Sequence, residues 1–413
     1  VNTIAIEDSL GIQFCKRLPL VVAGGAGSQV WDAAGKKYLD FTSGWGVTSL
    51  GHCHPALSSA IAEQAAVLTQ NPNSGFTYSP VRAALMEKLV PLLPAPLSRV
   101  YFVNSGAEAN DVAIKMARLL TGRTTVVSTE QSFHGRTHNT LSVSTSAESA
   151  QRFQPQRADT KFVPHGDLSA MQAMIDADTA AVIVEPIQGE GGVRIPDDGY
   201  LAEVSALCKQ HGALLIIDEI QTGLGRTGTL FAIEQCKPAV MPDMLTMGKG
   251  LGGGFPIAAL AMSEDCASKV SKGDHGGTYC GNPLGCAAAL AVLEEMLAQD
   301  VVSSVQRNGA VLGRLLAELK QEFPGLITEI RGRGLIWAMQ LDNDQKVDLL
   351  TTASMEQGLL ITPTRNAIIR LLPSLLVTEA EISQAVDKLR LALASVRASE
   401  FALDCSTHTS LTA

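Results

Sequence analysis

No apolar run in this 413-residue chain reaches the roughly 18 residues that a membrane-crossing helix needs, and residues 1–8 lack the basic stretch and apolar core of an export signal. A long basic block is missing too. With 41 Asp+Glu against 32 Lys+Arg the formal charge is -9, which sets aside nucleic acid and anionic membranes as main partners. The eight cysteines include no Cys-x-x-Cys pair, so reduced, mostly buried thiols are expected rather than a disulfide framework. His52 and His54 flank Cys53, but no second ligand cluster accompanies them, and packing beside Pro55 explains them better than a metal does. These absences imply a soluble, cytoplasmic protein with no metal site. Internal repeats and low-complexity linkers are also lacking.

The hydrophobic fraction of 46% supports a sizeable core, and 413 residues suggest two or three packed units. Residues 1–50 read as an N-terminal segment with a small hairpin turning near Asp32 to Gly35. Short β-rich runs follow at 99–103, 124–128, 180–184, 214–217, 244–247 and 257–262. Helical patterns at 107–120 and 201–211 separate some of them. Strands alternating with helices imply an α/β unit with a mainly parallel sheet, and such sheets place ligands beyond the strand C-terminal edges. This large unit spans 51–285. Two helices to about 323, strands at 326–331 and 335–341, and a helix at 379–396 make a smaller α+β unit over 286–398. Residues 399–413 read as a tail.

Lys249 ends an apolar strand-like run and is boxed in by glycines, an odd place for a solvated lysine. The run 213–217 delivers Asp218 at a comparable edge. A lysine that condenses with an aldehyde and an aspartate that keeps a ring nitrogen protonated suit pyridoxal 5'-phosphate. The glycine run is no P-loop, because Gly250 stands where Ser or Thr should follow the lysine, and its GxGxxG letters lack the βαβ context of a dinucleotide site. Asn104-Ser-Gly-Ala-Glu-Ala-Asn-Asp111 follows a strand and opens a helix, so Ser105, Gly106 and Ala107 can offer backbone N–H groups and a hydroxyl to a phosphate; an ordinary helix cap is the competing explanation. Ser132-Phe-His-Gly-Arg-Thr137 places Phe133 where it can lie against a heterocycle or serve as core. Glu185-Pro-Ile-Gln-Gly-Glu-Gly-Gly192 ends a strand in a loop with two carboxylates.

Taken together with Asp218-Glu-Ile-Gln-Thr-Gly-Leu-Gly-Arg-Thr-Gly228 and Gly277-Thr-Tyr-Cys-Gly-Asn-Pro283, these motifs resemble the class III aminotransferases, most nearly the acetylornithine, ornithine and 4-aminobutyrate group, in order over about residues 20–398. The resemblance implies fold type I: a large domain with a mainly parallel seven-stranded sheet, a smaller C-terminal domain, and a homodimer with its site at the subunit interface. It makes Lys249 the Schiff-base lysine and proton shuttle, Asp218 the partner of the pyridinium nitrogen, and Gln221 the partner of the ring hydroxyl. Phe133 and His134 flank the cofactor, Ser105, Gly106 and Ala107 hold its phosphate, and Thr278 completes the neighbouring subunit's phosphate site. Arg370 is then the grip for an α-carboxylate, gated by Glu190, and Arg136 binds a distal carboxylate. Two guanidinium forks make 2-oxoglutarate a good acceptor. Trp45 stands at the substrate wall where relatives carry Ile or Tyr, which points to a narrower or more apolar donor pocket. An aminomutase or phospho-lyase would share Lys249 and Asp218, yet neither needs the Arg370 and Glu190 pair. A silent cofactor-binding protein would have no use for an intact lysine, aspartate and phosphate loop.

Overall fold

The computed structural model describes residues 2–72, 74–145, 153 and 159–409. Its centre is a seven-stranded sheet of β4 (Leu97–Val103), β5 (Thr125–Thr129), β6 (Thr160–Val163), β7 (Thr179–Val184), β8 (Leu214–Asp218), β9 (Met244–Met247) and β10 (Ala258–Ser263), in the order β4-β10-β9-β8-β7-β5-β6. Only β10 runs antiparallel to its neighbours. The strands β7 and β9 are buried at every residue, as expected of continuous Ala, Val, Ile, Leu and Met runs covered on both faces. Six of the seven strands coincide with the β-rich runs of the sequence. The additional one, β6, is a four-residue edge strand, too short for its alternation to stand out.

The Gly106–Thr121 helix packs across the sheet through Ala109, Val112, Ala113, Ile114, Met116 and Ala117. Ser105 starts it, accepting from the Glu108 N–H, and Gly122 stops it in the left-handed region at φ 66. Each Val or Ile buried this way contributes on the order of 1.5–3 kcal/mol.

The N-terminal hairpin is present as β2 (Gln29–Asp32) and β3 (Lys37–Asp40), turning through Asp32 to Gly35. It belongs to a larger sheet, in which β1 (Val22–Ala26) flanks β2 and the distant β13 (Leu359–Leu360) pairs parallel with β3. The C-terminal unit is an antiparallel sheet, β11 (Ile327–Arg333), β12 (Ile336–Leu341), β15 (Ile368–Leu371) and β14 (Thr362–Thr364), with helices Val301–Glu322 and Asp344–Glu356. Helix Pro283–Ala298 packs on helices Pro55–Val67 and Pro80–Leu89, so it sits with the large unit rather than with the sheet that follows it. The last helix, Glu379–Thr409, passes its expected end at 396 and enters the stretch read as a tail. Residues 399–409 hold no Gly or Pro to stop it; residues 410–413 lie outside the described ones. Among the described residues no helix is long and apolar enough to cross a membrane.

Candidate active site

Three adjacent parallel strands, β7, β8 and β9, end at the same edge of the sheet. Val184 pairs with Ile217 and Asp218 with Thr246, so Glu185, Asp218 and Lys249 leave the sheet side by side. Lys249 opens a short 3-10 turn, Lys249–Gly252, with φ at +42. A non-glycine residue held there costs roughly 1–3 kcal/mol, so the surroundings must fix it. They do so through Leu251 N–H to Gly248 O (2.9 Å) and Ser49 Oγ to Gly250 O (3.0 Å). Lys249 keeps some accessible surface, but it lies deep enough that desolvation pulls its ammonium pKa down, against the opposing charge of Glu190.

The second oxygen of Asp218, Oδ2, accepts from Asn110 Nδ2 (2.7 Å) and faces His134 Nδ1 at 2.7 Å, while among the described residues Oδ1 accepts only from the Ile220 N–H (3.0 Å). An ionised carboxylate requires the proton on His134 Nδ1, and it keeps free lone pairs on Oδ1. Asn110 is itself fixed by donating to His134 O (2.9 Å) and accepting from Thr246 Oγ1 (2.7 Å). His134 Nε2 is buried and has no hydrogen-bond partner among the described residues. Asn110 and Thr246 are site residues that the sequence reading missed: Asn110 stands between Ala109 and Asp111 in a polar stretch, and Thr246, inside the apolar run 244–247, gives no sign of its partner. Glu185 was read only as part of its loop. Burial, with the Asp218 carboxylate close by, pushes its carboxyl well above the usual range.

Glu190 and Arg370 meet across the domain junction at 2.7 Å (Oε1 to Nη2). Burial alone would raise the Glu190 pKa, but the guanidinium and Lys249 hold it below the usual carboxylate range. Arg370 Nη1 donates to Gln221 Oε1 (3.3 Å), and Gln221 Nε2 makes a long contact with Trp45 O (3.5 Å). Gln221 therefore joins the ion pair to the Trp45 backbone. A Cβ on Gly189 would fall on the Gln221 carboxamide and displace it from Arg370.

At the start of the Gly106–Thr121 helix, Ser105 Oγ takes the Glu108 N–H (3.2 Å), leaving the N–H groups of Gly106 and Ala107 at an open helix end. A Cβ on Gly106 would meet Ile220 at 2.6 Å and one on Gly135 would meet Ala107 at 2.6 Å, so the loops close tightly around this cradle. Ser105 thus caps the helix while the Gly106 and Ala107 N–H groups face the same open end. The geometry fits a phosphorylated heterocyclic aldehyde: an anion cradle, a carboxylate oxygen with spare lone pairs, and a desolvated amine.

Arg136 is exposed, its guanidinium 5.2 Å over the ring of the partly buried Phe133. Trp45 is 56% exposed, in a turn in which Ser43, Gly44, Trp45 and Gly46 all have positive φ (44, 58, 66 and 82). The structure does not gather Thr278 with the rest. It is exposed, its carbonyl accepting from Gln70 Nε2 (2.6 Å).

The sequence model described as Aminotransferase class-III matches residues 15–393. The acetylornithine aminotransferase of Methanopyrus kandleri is 40% identical over 377 residues, 91% of this chain and 95% of that protein. The ornithine aminotransferase of Toxoplasma gondii, whose structure carries partially occupied PLP, superposes with a TM-score of 0.90 at 33% identity, covering 96% of this chain and 94% of that one. An acetylornithine aminotransferase from Elizabethkingia anophelis gives a TM-score of 0.84 at 32% identity, covering 95% and 98%.

Proposed function

We propose that this chain, a pyridoxal 5'-phosphate-dependent enzyme that belongs to the class-III aminotransferase family, moves the terminal amino group of an ω-amine such as N-acetylornithine, ornithine or 4-aminobutyrate to 2-oxoglutarate. The observation that carries this reading is the Glu190 to Arg370 ion pair over Lys249 and Asp218. A lyase or mutase has no need of a guanidinium that can be covered for one substrate and uncovered for the next.

The bound cofactor supplies a carbon that takes up the amine and a ring that accepts electrons from the substrate carbon. Ser105, Gly106 and Ala107 hold its phosphate, Asp218 keeps the ring nitrogen charged while His134 and Asn110 orient the carboxylate, and Phe133 and Gln221 bound the ring. Desolvation lowers the pKa of Lys249, which favours its Nζ as the group that would take a proton from one carbon and return it to another. With an ω-amine, Glu190 stays on Arg370 and the site presents no free cation near Lys249. With 2-oxoglutarate, Glu190 swings away, Arg370 grips the carboxylate beside the reacting carbonyl, and Arg136 takes the distal one. Trp45 walls the donor side.

The working form in this proposal is a homodimer in the cytoplasm, where the free thiols are at home. Phe76, Tyr78 and Tyr279 are 93%, 101% and 63% exposed. Arg82 links the two segments, Nη2 donating to Thr77 O (2.6 Å) while its side chain lies against Gly281, and Gln70 Nε2 donates to Thr278 O (2.6 Å). An apolar patch of that kind suits a second copy, to whose phosphate site Thr278 would then turn.

Half-reactions test the reading. The cofactor-loaded protein is mixed with N-acetylornithine, ornithine, 4-aminobutyrate or 1,4-diaminobutane, and conversion of the visible absorbance to that of the pyridoxamine form is followed. Conversion by at least one amine, reversed by 2-oxoglutarate, is the expected result; no conversion by any of them would favour a lyase or mutase.

A further inference from the structure

A left-handed turn four residues long is an unusual support for a substrate wall. Ser43 and Trp45, which have side chains, sit at φ 44 and 66, and Ser43 is buried. Something must hold them, and Asp40 is placed to do so. Its Oδ1 accepts from the Thr42 N–H (2.8 Å), Thr42 Oγ1 (2.7 Å) and the Ser43 N–H (3.2 Å), and its Oδ2 faces His52 Nε2 at 2.7 Å. Thr42 and Ser43 then cap the turn from within, Gly46 N–H donating to Thr42 O (3.1 Å) and Val47 N–H to Ser43 O (2.7 Å). From the turn, Trp45 O reaches Gln221, and Gln221 reaches Arg370. The same segment is stitched to the strand end beyond Arg370, since Leu372 N–H donates to Phe41 O (2.7 Å) and Ser374 Oγ to Ser49 O (3.1 Å).

We infer that Asp40, oriented by His52, is a positioning residue that holds the strained Ser43–Gly46 turn and thereby sets the place of Trp45 and Gln221 against the Glu190 and Arg370 gate. It touches neither substrate nor cofactor. The inference rests on the reading of Trp45 as the donor wall. It goes further in giving the wall a named support on β3 at the end of the hairpin sheet, outside the cofactor domain.

The test uses Asp40→Ala, Asp40→Asn and Trp45→Ala in the half-reaction of the loaded enzyme with the fastest-converting of the four amines above, together with hydrogen–deuterium exchange over residues 41–50 of the cofactor-free protein. Asp40→Ala should raise the half-saturating amine concentration about tenfold, with the saturating rate within about threefold, because binding geometry is lost and the chemical groups are not. Asp40→Asn should return it to within about threefold, since its amide oxygen still accepts from the Thr42 and Ser43 N–H groups. Exchange at 41–50 should quicken in the alanine variant and not in the asparagine variant. A parent-like half-saturation in Asp40→Ala, with a shift in Trp45→Ala, overturns the inference and leaves the wall standing. No shift in either, or no conversion by any amine, overturns the wall and the inference together. Equal loss of saturating rate in both Asp40 variants marks a general role in folding and also overturns it.

Discussion

Arg370 has no exposed side-chain surface, whereas Glu190 keeps 34% of its own. Of the two partners, the carboxylate is the one free to move, and a substrate carboxylate can take its place without any shift of the strand β15. Replacing Arg370 by Ala removes a buried charge from a paired site, a loss of about 3 kcal/mol or more, roughly 100-fold in rate constant. The expected outcome is a fall of that size in kcat/KM for 2-oxoglutarate and less than about tenfold for a carboxylate-free amine in the opposite half-reaction. Equal falls would show that the arginine does not discriminate. At this scale much was legible in the sequence. Lys249 and Asp218 stand where apolar runs stop, and a charged residue there has few explanations besides chemistry. Asn110 and Thr246 were not legible, because their bond to each other spans 136 positions and neither has a local sign of a partner. The Asp40 and His52 pair, only 12 positions apart, was hidden because neither residue carries a local sign of a partner.

Among the elements, the loop after β8 carries a second burden. Glu219, next to Asp218, is fully enclosed: it accepts from Thr222 Oγ1 (2.5 Å) and the Ile233 N–H (3.0 Å), and burial pushes its carboxyl from the model-compound 4.5 up to about 7. A raised carboxyl stays protonated in the folded chain while the unfolded chain has already ionised. Folding stability is therefore lost as pH rises from about 4.5 to about 7 and levels off above that. Glu219→Gln keeps the shape and cannot ionise, so urea unfolding at pH 5 and pH 7.5 should show the parent losing about 2–3 kcal/mol more than the variant over this interval. Identical pH dependence in the two proteins would place the ionisation of Glu219 elsewhere. The elements themselves were largely readable, because strands buried on both faces announce themselves as unbroken apolar runs. Where reading stopped was at β6, four residues at the sheet edge, and at β13, two residues whose only reason to be a strand is β3, more than three hundred positions away. The closing helix runs past its expected end because residues 399–409, though they have little to bury, contain no Gly or Pro to stop it.

For the whole molecule, the three-sheet arrangement places residues from all parts of the chain around one strand edge: Trp45 from beside the hairpin sheet, Lys249 from the central sheet and Arg370 from the C-terminal sheet. Their convergence could be foreseen only through resemblance, since no local pattern says which distant strands will meet. Assembly is the remaining level. Sedimentation should give about twice the 43.5 kDa chain mass, and Tyr78→Glu, which sets a charge in the exposed aromatic patch, should weaken the dimer roughly 100-fold and lower cofactor retention with it. A monomeric parent, or a dimer indifferent to that change, would move the interface elsewhere. The assignment of Lys249 is tested most directly by reducing the cofactor-loaded protein with borohydride and mapping the pyridoxyl label by peptide mass spectrometry. Label confined to the peptide that contains Lys249 is the expected result; label on another lysine, or on none, would contradict it.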